Sequence, residues 1–222
     1  MQRRETMYDT IFMHQMLHRL RNPLTFLYSS LQILEKDIPE VKEHRYWSEI
    51  TDDMHYLLDI LNQTTNYINA STENFKECII SDIIENCIDN ADIPIPVFYE
   101  NLAEHATIQG NRKYLQIVIL SLLKNACESG AQSIHISLKH IDNNYVIAIE
   151  DNGKGMAKDT QSHIFEPFYS EKELHSGLGL PLSQSVIHNH NGTLTCQSKE
   201  GEGTTIQISF PRNNACKQAP QI

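Results

Sequence analysis

The chain has 222 residues, 40% of them hydrophobic and 21% charged, with a net charge of −10. That acidic balance argues against nucleic acid as the main partner, because phosphate backbones reward clustered Lys and Arg. The longest apolar run, LQIVILSLL at 115–123, is half the ~18 residues a membrane span needs. No apolar stretch follows the basic start MQRRETMYDT, so neither a signal peptide nor a membrane segment is expected in this chain.

From residue 13 the apolar positions fall at Met13, Leu17, Leu20, Leu24, Leu27, Leu31 and Leu34, in alternating steps of four and three. This is the heptad seam of a helix that packs on other helices. KDIPEVKEH breaks the pattern, which resumes at Trp47, Ile50, Met54, Leu57, Leu61, Thr64 and Ile68. Two such helices joined by a short polar turn make an antiparallel hairpin. One hairpin covers each seam on one side only, so a second copy is expected to complete a dimeric four-helix bundle. Within the first helix, Pro23 cannot donate an amide hydrogen to the carbonyl of Arg19, which predicts a bend beside His18. His18 lies one residue off the Leu17/Leu20 seam and should face solvent, with Asn22 one turn further along the same face.

From about residue 77 the pattern changes. SDIIENCIDNA (81–91) reads as a helix with Ser81 as its N-cap, and PVFYE (96–100) and ATIQ (106–109) read as strands. NRKYLQIVILSLLKNACESG (111–130) is a long, mostly buried helix closed by Gly130. SIHISLKHI and NYVIAIE alternate with period two around the turn IDNN. A helix near 180–192 and a final hairpin, GTLTCQS with TTIQISF, complete the pattern. The fold class is α+β: an N-terminal helical hairpin over 1–73, an α/β sandwich over 74–212, and a disordered tail over 213–222. The five cysteines include no C-x-x-C pair, so structural zinc is not expected.

Two glycine clusters carry chemistry. EDNGKGM (150–156) follows a strand that ends in an acid, and Asp151 there can accept a hydrogen bond from an exocyclic amine. Gly153 and Gly155 permit close backbone approach. SGLGLPLS (176–183) places Gly177 and Gly179 at the mouth of a helix, where free N–H groups and the helix dipole favour a polyphosphate. IFEPFYSEK lies between them as a lid or hinge. Asn125, near the end of the buried helix, offers an amide oxygen suited to a hard cation.

LLKNACES, DNGKGM, FEPFYSEK and GLGLPLS resemble the N, G1, F and G2 boxes of sensor histidine kinases, within the ATPase superfamily shared with DNA gyrase, the Hsp90 chaperones and MutL. MLHRLRNPLTF resembles the family's H box. The likeness runs from about residue 13 to 211 and implies a phosphoacceptor hairpin followed by an ATP-binding domain. It implies His18 as phosphoacceptor, Asn125 as Mg²⁺ ligand and Asp151 as the partner of the adenine amine. Gly153, Gly155, Gly177 and Gly179 would shape the nucleotide pocket, with Lys172 reaching a phosphate. The reaction implied moves the γ-phosphoryl of ATP to His18, then to an aspartate on the receiver domain of a response regulator, in a cytoplasmic homodimer.

Three positions depart from the family pattern. Arg19 stands where the family usually has Glu or Asp, and a guanidinium cannot accept a proton at neutral pH. Asn22, which in the family helps orient water for dephosphorylating the regulator, is kept. Ser121 occupies an N-box position where Glu, Asn or His is usual, and His175-Ser176 replaces the usual Gly-Thr of the G2 box. These departures favour phosphatase or phosphotransfer work over autophosphorylation. A phosphorelay, phosphatase or scaffold protein of the same fold with weak or no autokinase activity is the alternative.

Overall fold

The computed structural model describes residues 2–69, 75–171 and 175–212, with side chains from 16 to 66 in the first of these segments. The tail expected to be disordered, 213–222, lies outside the described residues. The chain divides into two compact units, Met1–Asn69 with Phe168–Leu178, and Ala70–Pro167 with Gly179–Ile222.

In the first unit, helix α1 (Gln2–Asp37) runs on through Pro23. A short 3-10 turn (Pro39–Glu43) leads into helix α2 (Trp47–Asn69). Side chains fix the antiparallel pairing of the two helices. Arg21 donates from Nη2 to Thr65 Oγ1 at 3.0 Å and to Asn62 Oδ1 at 3.3 Å, and Tyr28 Oη meets His55 Nε2 at 3.0 Å. The heptad seam splits into two rows. Leu17, Leu24 and Leu31, with Trp47, Met54 and Leu61, are buried or half-buried. Leu20, Leu27 and Leu34, with Ile50 and Leu57, remain between 39% and 50% exposed. The first row closes the hairpin; the second is left open.

The second unit is built on a five-stranded sheet. Its strands are β2 (Val97–Asn101), β4 (Ile134–Ile141), β5 (Asn144–Asp151), β6 (Thr193–Lys199) and β7 (Gly203–Pro211), in the order β2-β4-β5-β7-β6. Only β2 and β4 run parallel. β1 (Lys76–Ile79) and β3 (Thr107–Gly110) form a separate antiparallel pair. Helices α3 (Ile80–Asn90), α4 (Arg112–Glu128) and α6 (Gly179–Asn189) supply the core with Ile84, Leu123 and Val186, against Ile136, Ile147 and Ile208 from the sheet. Periodicity did not point to β1 or to the short helix α5 (Lys158–His163). Ser81 is not the cap of α3. β1 runs straight into the helix, Ile79 takes the cap position without a side-chain bond, and Ser81 falls inside the first turn.

His190, at the end of α6, is 1% exposed and stacks on Phe75 with ring centroids 4.5 Å apart. Its Nε2 accepts the Asn111 N–H at 2.9 Å, which leaves Nδ1 as the protonated nitrogen, donating to the Val186 carbonyl at 2.7 Å. Asn111 in turn caps α4 through its side chain, which accepts from the Lys113 N–H. Burial lowers the pKa of His190 from 6.5, against a smaller opposite effect of the Val186 hydrogen bond. A second proton at Nε2 would face the Asn111 N–H donor. Because the folded pKa is depressed, the stability tied to neutral His190 is complete above the ordinary histidine value of about 6.5. It is lost as pH falls through the lowered folded value. Urea unfolding between pH 7.5 and 5 is expected to show this loss in the wild type, and a shallower loss in His190→Gln.

Candidate functional site

On the first unit, His18, Arg19 and Asn22 are all exposed on α1. His18 and Asn22 stand one turn apart on one face, as their spacing requires. The two arginines of the motif have different surroundings. Arg21 is half-buried and staples α1 to α2, whereas Arg19 is exposed next to His18 in the chain. The same unit holds the segment Phe168–Leu178, which the Phe168 N–H closes by donating to the Gly177 carbonyl at 3.1 Å. Gly177 has φ +62, and a Cβ there would meet the backbone of Phe168 and Tyr169 at 2.6 Å. Ser176 donates from Oγ to Gln63 Oε1 at 2.7 Å, and Gln63 donates from Nε2 to Asp59 Oδ2 at 2.6 Å. Lys172 lies outside the described residues.

On the second unit, Asp151 ends β5 and turns into a loop whose carboxylate is held from inside. Asp151 Oδ1 accepts the Gly153 N–H at 2.9 Å and lies 3.1 Å from Ser129 Oγ. Asn152 Oδ1 accepts the N–H groups of Gln132 and Ser133 at 2.8 and 3.0 Å, fixing the loop that follows α4. The Lys154 N–H donates to the Ser129 carbonyl, and the Gly201 N–H to the Lys154 carbonyl. Gly155 sits at φ +64, tight against the β6–β7 turn.

Asn125 lies on α4 one turn before Ser129 and is half-exposed. Asn125 thus shares α4 with its C-cap Ser129, whose hydroxyl reaches Asp151, while Asp151, Gly153 and Gly155 lie along one loop. Gly179 opens α6 next to α4: its Cβ would stand 3.1 Å from Ser121 Oγ. The small side chain of Ser121 is thus part of a close approach between α4 and α6.

Two residues that matter here escaped sequence reasoning. Ser129 reaches Asp151 across 22 positions, and only its place beside Gly130 at the end of the N-box stretch marked it. Gly203, with φ +106, would put a Cβ 2.0 Å from the Asp151 carbonyl oxygen. Its signal is the last glycine of KEGEG, the stretch that joins the two strands of the final hairpin.

Residues 110–214 match the family described as histidine kinase-, DNA gyrase B- and HSP90-like ATPases. Sporulation kinase A of Bacillus subtilis (strain 168) is 31% identical over 204 residues, covering 88% of this chain and 33% of the relative. Sporulation kinase E of the same organism is 30% identical over 207 residues, covering 89% of this chain and 28% of the relative. This chain thus carries a domain of that ATPase family and is similar to histidine kinases over nearly nine tenths of its own length. It spans a third or less of the length of those two curated relatives. Among solved structures, full-length ShkA in complex with AMPPNP superposes with a TM-score of 0.72 over 89% of this chain and 45% of its own, at 18% identity. The catalytic domain of histidine kinase ThkA gives 0.55 over 63% of this chain and 96% of its own, at 20% identity. Both likenesses support the fold. Among the described residues, no helix is long and apolar enough to cross a membrane.

Proposed function

We propose that this chain is the kinase core of a two-component system, binding ATP with Mg²⁺ and passing the γ-phosphoryl through His18 to an aspartate of a response-regulator receiver domain. One observation carries the reading: an exposed imidazole, with an amide one turn along the same helix face, occurs in a chain that also holds a family ATPase domain. The residues of that domain fit the ligand. Asp151 presents a carboxylate whose Oδ1 is already held, leaving Oδ2 toward an adenine amine. Asn125 supplies the amide oxygen for Mg²⁺, and Gly179 opens an eleven-residue helix whose N-terminus favours phosphates. Gly153 and Gly155 keep the backbone close; the family resemblance assigns Gly177 to the pocket and Lys172 to a phosphate. Bound ATP–Mg²⁺ supplies the transferable phosphoryl and the charge neutralisation such transfers require. The open apolar row on the hairpin supports a homodimer with a four-helix bundle, and we place the protein in the cytoplasm.

Arg19 favours a bias within this reading. Without a carboxylate beside His18, no adjacent group takes the imidazole proton, while Asn22 remains to orient a water on a phosphorylated partner. The chain is therefore assigned weak autokinase activity and stronger phosphatase or phosphotransfer activity. Incubation with γ-labelled ATP and Mg²⁺ tests both parts. Wild type is expected to label slowly, His18→Ala not at all, and Arg19→Glu at least about tenfold faster, the low end of what a general base contributes. Wild-type labelling as fast as that of Arg19→Glu removes the bias; label retained in His18→Ala removes the phosphoacceptor assignment.

A further inference from the structure

The carboxylate assigned to the adenine amine is not left to solvent to orient. Asp151 Oδ1 receives the Gly153 N–H at 2.9 Å, and Ser129 Oγ stands 3.1 Å from the same oxygen. The Ser129 hydroxyl has one hydrogen and two acceptors in reach, since the Ala126 carbonyl oxygen is 2.7 Å away. If the hydrogen stayed on Ala126, an oxygen lone pair would face a carboxylate. The charged acceptor is the stronger one, by roughly a factor of two over a neutral pair. The backbone of Ser129 holds the same loop from its other side, through the Lys154 N–H to its carbonyl at 3.0 Å. Gly153 completes the fit: a Cβ there would lie 1.8 Å from Ser129 Oγ, so the serine oxygen fills the space the glycine leaves.

We infer that Ser129 is a positioning residue for base selection, fixing the plane of the Asp151 carboxylate so that Oδ2 meets a donor. Adenine offers an amine at that point, and guanine a carbonyl that a fixed carboxylate repels. With Ser129 removed, the carboxylate can turn, and the distinction between the two bases narrows. The inference rests on the proposed reading of Asp151 as the adenine partner.

The test is titration of ATP and of GTP, each with Mg²⁺, into the full chain as wild type, Ser129→Ala and Ser129→Thr. Wild type is expected to prefer ATP. Ser129→Ala is expected to lose about tenfold in ATP affinity, the scale of a lost hydrogen bond to a charged group, with GTP little changed. Ser129→Thr, which keeps the hydroxyl, is expected to restore the wild-type ratio. A partly unfolded variant would lose both nucleotides by the same factor, so the ratio reads positioning alone. An ATP:GTP ratio unchanged in Ser129→Ala, or equally altered in Ser129→Thr, overturns the inference while leaving the proposed function standing. A wild type that binds no ATP overturns the proposed function and this inference with it.

Discussion

Alanine at position 155 is expected to remove ATP binding and to lower the melting temperature of the nucleotide-binding unit by about 6 °C or more. Gly155 has φ +64, and an alanine there carries a left-handed penalty of about 1–2 kcal/mol. The larger effect is steric. The added Cβ would lie 2.0 Å from the Lys199 carbonyl oxygen and 2.7 Å from its carbonyl carbon, both backbone atoms that cannot rotate away. Either the β6–β7 turn moves or the loop carrying Asp151 does. Together these come to more than about 2 kcal/mol, at about 3 °C per kcal/mol for a domain of this size. Gly130→Ala is the matched control. Gly130 also has a positive φ, +78, but nothing lies within 4 Å of its Cβ position, so only the conformational penalty applies. Thermal unfolding of both variants, with and without ATP–Mg²⁺, separates the terms; equal effects at the two positions would show that the clash does not operate.

Leu27→Glu combined with Leu34→Glu is expected to convert the proposed homodimer to monomers without unfolding the hairpin. Both leucines belong to the open row, and both lie more than a turn beyond His18. Burying a leucine fully contributes about 1.5–3 kcal/mol, and these are already about half covered. Four such side chains per dimer amount to about 4 kcal/mol, roughly a thousandfold in Kd, before the new carboxylates face one another. Sedimentation at micromolar concentration reads the assembly, and far-UV circular dichroism reads the helices. A dimer that survives both glutamates would mean that another surface pairs. Loss of helix would mean that the two rows are not independent.

Much of this architecture was legible because it rests on repeating patterns. The four-three spacing from Leu17 to Leu34 announced a helix with one apolar seam, and the alternation in SIHISLKHI and NYVIAIE announced the hairpin that ends at Asp151. What the spacing did not say is which row the hairpin uses for itself. That depends on the partner helix, and Arg21, Asn62 and Thr65 settle it by cross-linking α1 to α2. β1 was silent because four residues, KECI, enter α3 with no turn residue between them. α5 was silent because KDTQSH has no apolar face to give it a period. In the candidate site, Asp151 and the glycines stood in recognisable boxes. Ser129 closes the N-box stretch, but its role was not readable there, because its importance is a distance to a residue 22 positions away, and one sequence holds no distances.

The grouping of Phe168–Leu178 with the hairpin has a consequence for dissection of the molecule. The backbone passes from one unit to the other three times, so the helical unit is discontinuous in sequence. A fragment beginning at residue 75 keeps Ser176 but discards Gln63 and Asp59, its hydrogen-bonded chain on α2. The stretch bearing Gly177 in such a fragment is tethered at both ends yet stripped of its anchor. Nucleotide affinities measured on a truncated domain and on the whole chain therefore refer to two differently restrained loops. Any chimera that joins this ATPase-type domain to a foreign hairpin inherits the same mismatch unless positions 59 and 63 travel with it.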